Sequence, residues 1–237
     1  MHTSTGPIVA ATLAAAFALV APVFAAEKTI ELPSFTSVHL SSGIDATITV
    51  GGAQSIEATA PDAGVLDDMK IRVVKGKLEA WYDWSIFDIF PSNERNVVLT
   101  ISVPDLAGID ASSGADITVT GMAGDSLALD ASSGGGINAT GISGKAISLE
   151  ASSGANIDTS GSCTSANIQV SSGAHIQAKE LLCESANAEA SSGANANVFA
   201  SKSVVADASS GGNIVVSGSP PAVESDASSG GDVEVMQ

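Results

Sequence analysis

Aromatic side chains and positive charges are scarce in this chain. Only 4% of its 237 residues are aromatic, and 9 Lys and Arg stand against 26 Asp and Glu, which gives a formal net charge of -17. A core must therefore be built mostly from Ala, Val, Ile and Leu, which is unusual for a globular enzyme. Nucleic acid and anionic lipid are not expected as partners, because both require a cationic surface. Cations, sugars and basic proteins remain as partner classes.

Cysteine and long apolar runs are scarce as well. Two Cys exclude a disulfide-dense scaffold. The longest apolar run, Ile8 to Val23, is too short for a comfortable membrane span and is followed by Val23-Phe24-Ala25, which suits a cleavage site. We therefore predict a signal peptide over residues 1-25 and an exported protein that begins at Ala26. No membrane span is expected in the mature protein.

The most frequent motif in the sequence is the tripeptide Ser-Ser-Gly. From residue 112 onward its copies are separated by 20, 20, 19, 20, 18 and 19 residues, a period that is typical of a solenoid. It occurs at 41-43, 112-114, 132-134, 152-154, 171-173, 191-193, 209-211 and 228-230.

Apolar residues stand at fixed distances from each Ser-Ser-Gly. In the copy at 152-154 they are Leu149, Ala151 and Ile157, and polar residues lie between them. This alternation predicts two short strands that flank a corner, with the Gly at positive φ. Strands that recur at this interval stack in parallel about 4.8 Å apart. The predicted fold is all-β, a single-stranded parallel β-helix with rungs of about 18-20 residues.

The N-terminal part, residues 26-104, is less regular but is predicted to belong to the same domain. The segment around Val38 to Gly43 repeats the rung pattern, so we expect the solenoid to begin there. A hairpin is predicted around Lys75-Gly76, a strand over Val97 to Val103, and a helical turn within 61-69. The domain then covers 26-237, with regular rungs over 105-237.

An ordered set of motifs resembles a known bacterial family. The Ser-Ser-Gly-x-(Asp/Asn)-Ile rungs, with the segments Ile44 to Val50 and Lys75 to Leu78, are similar to the head GIN domain family, described as auto-transporter adhesins. The resemblance covers most of residues 30-237. It implies an exported β-helical domain with a role in adhesion, and it supplies no catalytic residues.

One segment holds five of the seven aromatic residues that follow Ala25. Such a patch can stack against sugar rings or dock a partner. It can equally cap the open end of the solenoid or pack along its side. The candidate ligand-binding residues in this segment are Trp81, Tyr82, Trp84 and Phe87.

Acidic residues recur two positions before the first Ser of each corner, interrupted once by Gln169. They are Asp110, Asp130, Glu150, Glu189, Asp207 and Asp226. Alternation places them on the outer surface, where neighbouring charges should raise their pKa values. They form either a solvated ladder that maintains solubility, or a weak Ca²⁺ site or docking strip for a basic partner. No other cofactor is expected.

The two cysteines occupy equivalent places in adjacent rungs. Cys163 and Cys183 each lie eight residues before the next Ser-Ser-Gly. Their Cα atoms should therefore be about 4.8 Å apart, within the range that a disulfide tolerates. Export to an oxidising compartment favours the bond, so a disulfide is predicted. The alternative is a pair of buried thiols.

The sequence favours an exported cell-envelope binding or adhesion module that acts through the β-helix surface, without catalysis. The paired Ser suit corner formation better than nucleophilic catalysis, and neither His39 nor His175 lies in a nucleophile motif. A glycan or an envelope protein is the expected partner, in the periplasm or at the cell surface or secreted. The alternatives are a carbohydrate-active β-helix enzyme with paired carboxylates and a passive structural envelope protein.

Overall fold

The structure, a computed structural model, describes residues 26-83 and 96-236. Within these residues the chain forms eighteen strands and one short helix. The all-β prediction is confirmed. The predicted signal peptide, 1-25, lies outside the described residues.

The elements follow one another along the chain with short connections. They are β1 (Ala26–Thr29), β2 (Ser37–Leu40), β3 (Ile44–Val50), β4 (Ser55–Ala60), α1 (Ala63–Asp68), β5 (Lys70–Val74), β6 (Lys77–Trp81), β7 (Val97–Val103), β8 (Gly108–Ala111), β9 (Asp116–Thr120), β10 (Ala123–Ala131), β11 (Gly136–Ala151), β12 (Asn156–Val170), β13 (His175–Ala190), β14 (Asn195–Phe199), β15 (Ser203–Ala208), β16 (Asn213–Ser217), β17 (Ala222–Ala227) and β18 (Asp232–Val235).

Parallel pairing stacks the rungs into a β-solenoid, as predicted. The strands before the corners form the leading face, in the order β6-β2-β8-β10-β11-β12-β13-β15-β17. The strands after the corners form the trailing face, in the order β7-β3-β9-β11-β12-β13-β14-β16-β18. Strands β11 to β13 belong to both faces because each continues from the trailing strand of one rung to the leading strand of the next. The prediction of only short strands was wrong here, since rungs this short keep their ladder of hydrogen bonds through the bends.

Each Ser-Ser-Gly corner is a tight turn with two residues at positive φ. The second Ser has φ between 49° and 61°, and the Gly that follows it is also positive. In the corner at 152-154 the amide of Ala155 donates to the carbonyl of Ser152 at 3.1 Å, which closes a type I′ turn. The amide of Gly154 donates to the carbonyl of Ser172 in the next rung at 3.1 Å. The Gly prediction is confirmed, whereas the left-handed second Ser was not predicted.

The apolar columns point into the solenoid and are buried, as the alternation predicts. Ile117, Ile137, Ile157 and Ile176 lie in register on the trailing face and are at most 2% exposed. Thr159 interrupts a second inward column, in register with Ala139 and buried. Within the part of the chain that the structure describes, its hydroxyl has no hydrogen-bond partner.

The N-terminal part adds a turn beneath the rung at Ser41. The hairpin around Lys75-Gly76 and strand β7 form as predicted. However, β6 pairs beneath β2 and β7 beneath β3, so the expectation that the solenoid begins at Val38 was wrong by one turn. The added strands bury inward side chains such as Leu78 and Leu99 under the first corner. Strands β4 and β1 then extend the trailing face with antiparallel pairing.

Candidate functional site

The acidic column forms a continuous outward line on the leading face, here called the acidic ladder. Its members pair rung by rung, Asp110 with Asp130, Asp130 with Glu150, and Glu189 with Asp207. The ladder ends at Asp226, which pairs with Asp207. The predicted register is confirmed.

A histidine pairs with the first carboxylate of the acidic ladder. His39 lies opposite Asp110 in the rung below, and its Nδ1 is 2.7 Å from Asp110 Oδ2. The Nζ of Lys77 lies 3.8 Å from the same oxygen. The hydrogen bond to Asp110 raises the pKa of His39 above its ordinary value, against the opposing effect of partial burial. This end of the acidic ladder therefore carries balanced charge.

One carboxylate in the ladder shows the expected shift. Burial raises the pKa of Asp130, and the charges of Asp110 and Glu150 on the neighbouring strands raise it further. Among the described residues, no three His, Cys, Asp or Glu side chains come together in a group that could hold a metal ion. The ladder is thus a line of carboxylates, and the weak Ca²⁺ site at Asp110, Asp130, Glu150, Glu189, Asp207 and Asp226 stays a prediction.

The aromatic segment is divided between packing and surface. Tyr82 is only 4% exposed, and its hydroxyl donates to the carbonyl of Val65 at 3.0 Å. It is therefore a core residue rather than a ligand contact, in agreement with the packing alternative. Trp81 is partly exposed, lies 4.7 Å below the guanidinium of Arg72, and donates through Nε1 to Asp83 at 2.9 Å. Trp84 and Phe87 lie outside the described residues.

The two cysteines are joined across adjacent rungs. Cys163 pairs in register with Cys183, their Cα atoms are 4.4 Å apart, and the structure contains the disulfide between them. Both side chains are buried. This covalent link therefore ties β12 to β13 at the bend where trailing and leading faces meet.

The trailing face carries a feature that the sequence analysis missed. The pairing register shifts between Ala139 and Ile142 on β11, and again between Asp158 and Ser160 on β12. Bulges of this kind redirect side chains and interrupt a regular surface. A shallow open groove lies beside both shifts and is here called the bulge groove. Its principal outward side chains are Asn138, Thr140, Asp158, Gln177, Lys179 and Glu180.

The bulge groove combines several kinds of hydrogen-bonding group. Amides, a hydroxyl, carboxylates and an ammonium group line it. Gln177 is held in place because its Oε1 accepts a hydrogen bond from Asn197 Nδ2 at 2.7 Å. The signal for this site in the sequence is small, namely the drop in corner spacing from 20 to 19 residues between Ser152 and Ser171.

The comparisons with known proteins agree with the fold. Residues 34–220 match the family model described as "Putative auto-transporter adhesin, head GIN domain". No curated protein matches the chain. No helix in the described residues has the length and apolar character needed to cross a membrane.

Three solved structures share the architecture at low sequence identity. A "putative adhesin" from Bacteroides fragilis is 16% identical, with a TM-score of 0.81 over 90% of this chain and 97% of that chain. A "putative lipid binding protein" from Parabacteroides distasonis is 14% identical, with a TM-score of 0.68 over 90% and 97%. A "putative adhesin" from Parabacteroides merdae is 17% identical, with a TM-score of 0.66 over 90% and 96%. At such identities the likeness establishes the fold alone.

Proposed function

This chain belongs to the family described as "Putative auto-transporter adhesin, head GIN domain", and from that premise we propose that it is an exported cell-envelope binding module. Binding uses the outer surface of the solenoid, and the protein catalyses no reaction. The bulge groove is the contact site, and an envelope glycan is its ligand.

The observation that carries this proposal is the interruption of a regular surface by a polar groove. Elsewhere the rungs repeat the same outward columns, whereas the two register shifts place Asp158, Gln177 and Glu180 around one depression. Side chains that both donate and accept hydrogen bonds suit the hydroxyl groups of a sugar. The open shape of the groove accommodates a polymer that extends past its ends.

The charge of the protein narrows the class of glycan. With a net charge of -17, the surface repels polyanions at long range. Lys179 is the single cation among the principal groove residues. A neutral or weakly basic polysaccharide therefore fits better than a strongly acidic one. An acyl chain fits poorly, because the groove is lined by polar side chains and lacks an apolar cavity.

Binding to a glycan array followed by titration with a bound glycan tests this function. The variant Asn138→Ala/Gln177→Ala removes two amides from the groove, and we expect it to lose about tenfold or more in affinity. Asn167→Ala/Asn187→Ala is the matched control, because it removes two amides from the leading face, where Asn187 Nδ2 donates to Asn167 Oδ1 at 3.1 Å. Equal loss in both variants, or no glycan bound by the wild type, contradicts the proposal.

The enzyme alternative is tested on the same glycan. A glycosidase needs two carboxyl groups on either side of the scissile bond, and Asp158 and Glu180 are the carboxylates of the groove. Mass spectrometry of the glycan after long incubation with the wild type should show no shortened product. Shortening that disappears in Asp158→Asn/Glu180→Gln would replace the binding function with catalysis.

A further inference from the structure

The leading face ends in a free strand edge at each end of the solenoid. Among the described residues, β5 pairs only with β6, and β17 pairs only with β15. Every residue of β17 is exposed. Such edges present unpaired backbone amides and carbonyls that can accept another strand.

The two edges carry opposite charge. Residues 70-77, which form β5 and its turn, contain four basic and no acidic residues. Lys70 and Arg72 lie on the exposed side of β5. Residues 222-236 contain four acidic and no basic residues, and Glu224 and Asp226 lie on β17.

The inward sides of both edges are apolar or small and remain partly uncovered. Ile71 and Val73 of β5 pack against the core while keeping some exposure. On β17, Val223 is 46% exposed, and Ser225 and Ala227 follow it on the same side. No charged side chain on the inward side of either strand blocks the approach of another rung, although such blocking is a usual protection of free edges.

We propose that the occupant of the β17 edge is the β5 edge of a second copy of this chain, so that the protein assembles head to tail. Tail-to-tail pairing would set Glu224 and Asp226 against like charges, and head-to-head pairing would do the same for Lys70 and Arg72. Head-to-tail pairing joins opposite charges and covers the open end of the core. The new strand pair is antiparallel, because β5 runs against β6, whose direction β17 shares through the stacked parallel strands. Such an interface is heterologous and leaves a free edge at each end, so it generates a row of copies.

Sedimentation velocity of the purified protein over a concentration series at low and high salt tests the assembly. We expect species larger than a monomer at low salt and fewer of them at high salt, since the contact is between charges at an exposed edge. Lys70→Glu/Arg72→Glu and Glu224→Lys/Asp226→Lys should each weaken association about tenfold or more. Glu189→Lys/Asp207→Lys is the matched control, because it makes the same charge change in the middle of the acidic ladder and should keep its oligomers.

Mixing separates the proposal from loss of folding. The first variant has two acidic edges and the second has two basic edges, so an equimolar mixture should recover the large species that neither forms alone. Circular dichroism of each variant checks that the solenoid is intact. A wild type that stays monomeric at every concentration, or a mixture that recovers nothing from folded variants, overturns the proposal. Either result leaves glycan binding at the bulge groove untouched.

Discussion

His39 and Asp110 form a close charge pair at the lower end of the acidic ladder, with Nδ1 and Oδ2 2.7 Å apart. Lys77, Glu79 and Asp130 face the same pair from neighbouring strands. The sequence places His39 in the acidic column two residues before its corner, but only the structure shows that it compensates the first carboxylate.

This pair makes stability depend on pH in a defined direction. The pKa of His39 is raised in the folded state from its ordinary value of 6.5. The stabilisation is therefore complete below that value and is lost as pH rises through the raised pKa. Thermal unfolding followed by circular dichroism should show a falling melting temperature across that interval. His39→Gln should remove this component, while His175→Gln, the matched change on the trailing face, should leave it. A slope that survives in His39→Gln contradicts the assignment.

Calcium should stabilise the protein no more than sodium does. The ladder carboxylates follow one another along a line, and no group of three metal-binding side chains occurs in the described residues. Screening of their mutual repulsion is then the main effect of salt. We expect CaCl₂ and NaCl at matched ionic strength to raise the melting temperature equally. A larger shift with Ca²⁺ that is abolished by Asp130→Asn/Glu150→Gln would establish a metal site.

The disulfide should be present in the purified protein and should contribute to stability. Intact mass after alkylation under denaturing, non-reducing conditions should show no added alkyl groups on Cys163 and Cys183. Replacing both with Ser should lower the free energy of unfolding by about 3 kcal/mol, because the bond closes a loop of 20 residues in the unfolded chain. Uptake of two alkyl groups would show instead that these are buried thiols.

Thr159 should be improvable. Its hydroxyl is buried without a hydrogen-bond partner in the described residues, in register with Ala139, and such burial costs about 1-3 kcal/mol. Thr159→Val keeps the shape and should raise the free energy of unfolding by about 1 kcal/mol in a urea titration. Thr140→Val, on the outer surface of the neighbouring rung, is the control and should change little. A destabilised Thr159→Val would mean that a buried water or partner satisfies the hydroxyl.

The repetitive part of the fold is predictable from the sequence because each rung repeats its local chemistry. The buried columns, the positive φ of Gly154 and its equivalents, and the outward acidic ladder all follow from alternation around Ser-Ser-Gly. The left-handed Ser153 does not follow, since Ser carries no strong preference for positive φ. The turn beneath Ser41 does not follow either, because β6 and β7 pair with strands that precede them in the sequence.

The candidate site is much less predictable than the fold. The sequence analysis emphasised the aromatic segment, yet Tyr82 is a packing residue. The bulge groove depends on a change of one residue in rung length, which alters the pairing register without altering the polar pattern of Asn138, Asp158 and Gln177. Only the three-dimensional register shows that these side chains border one groove.

The most direct test of the binding function is an amide NMR titration of the protein with a glycan selected from the array. The bulge groove account predicts that the largest shift changes cluster on residues 138-140, 158-160 and 177-180, and that they disappear in Asn138→Ala/Gln177→Ala. Changes that cluster instead on the acidic ladder or around Trp81, with residues 138-140, 158-160 and 177-180 unmoved, would contradict it.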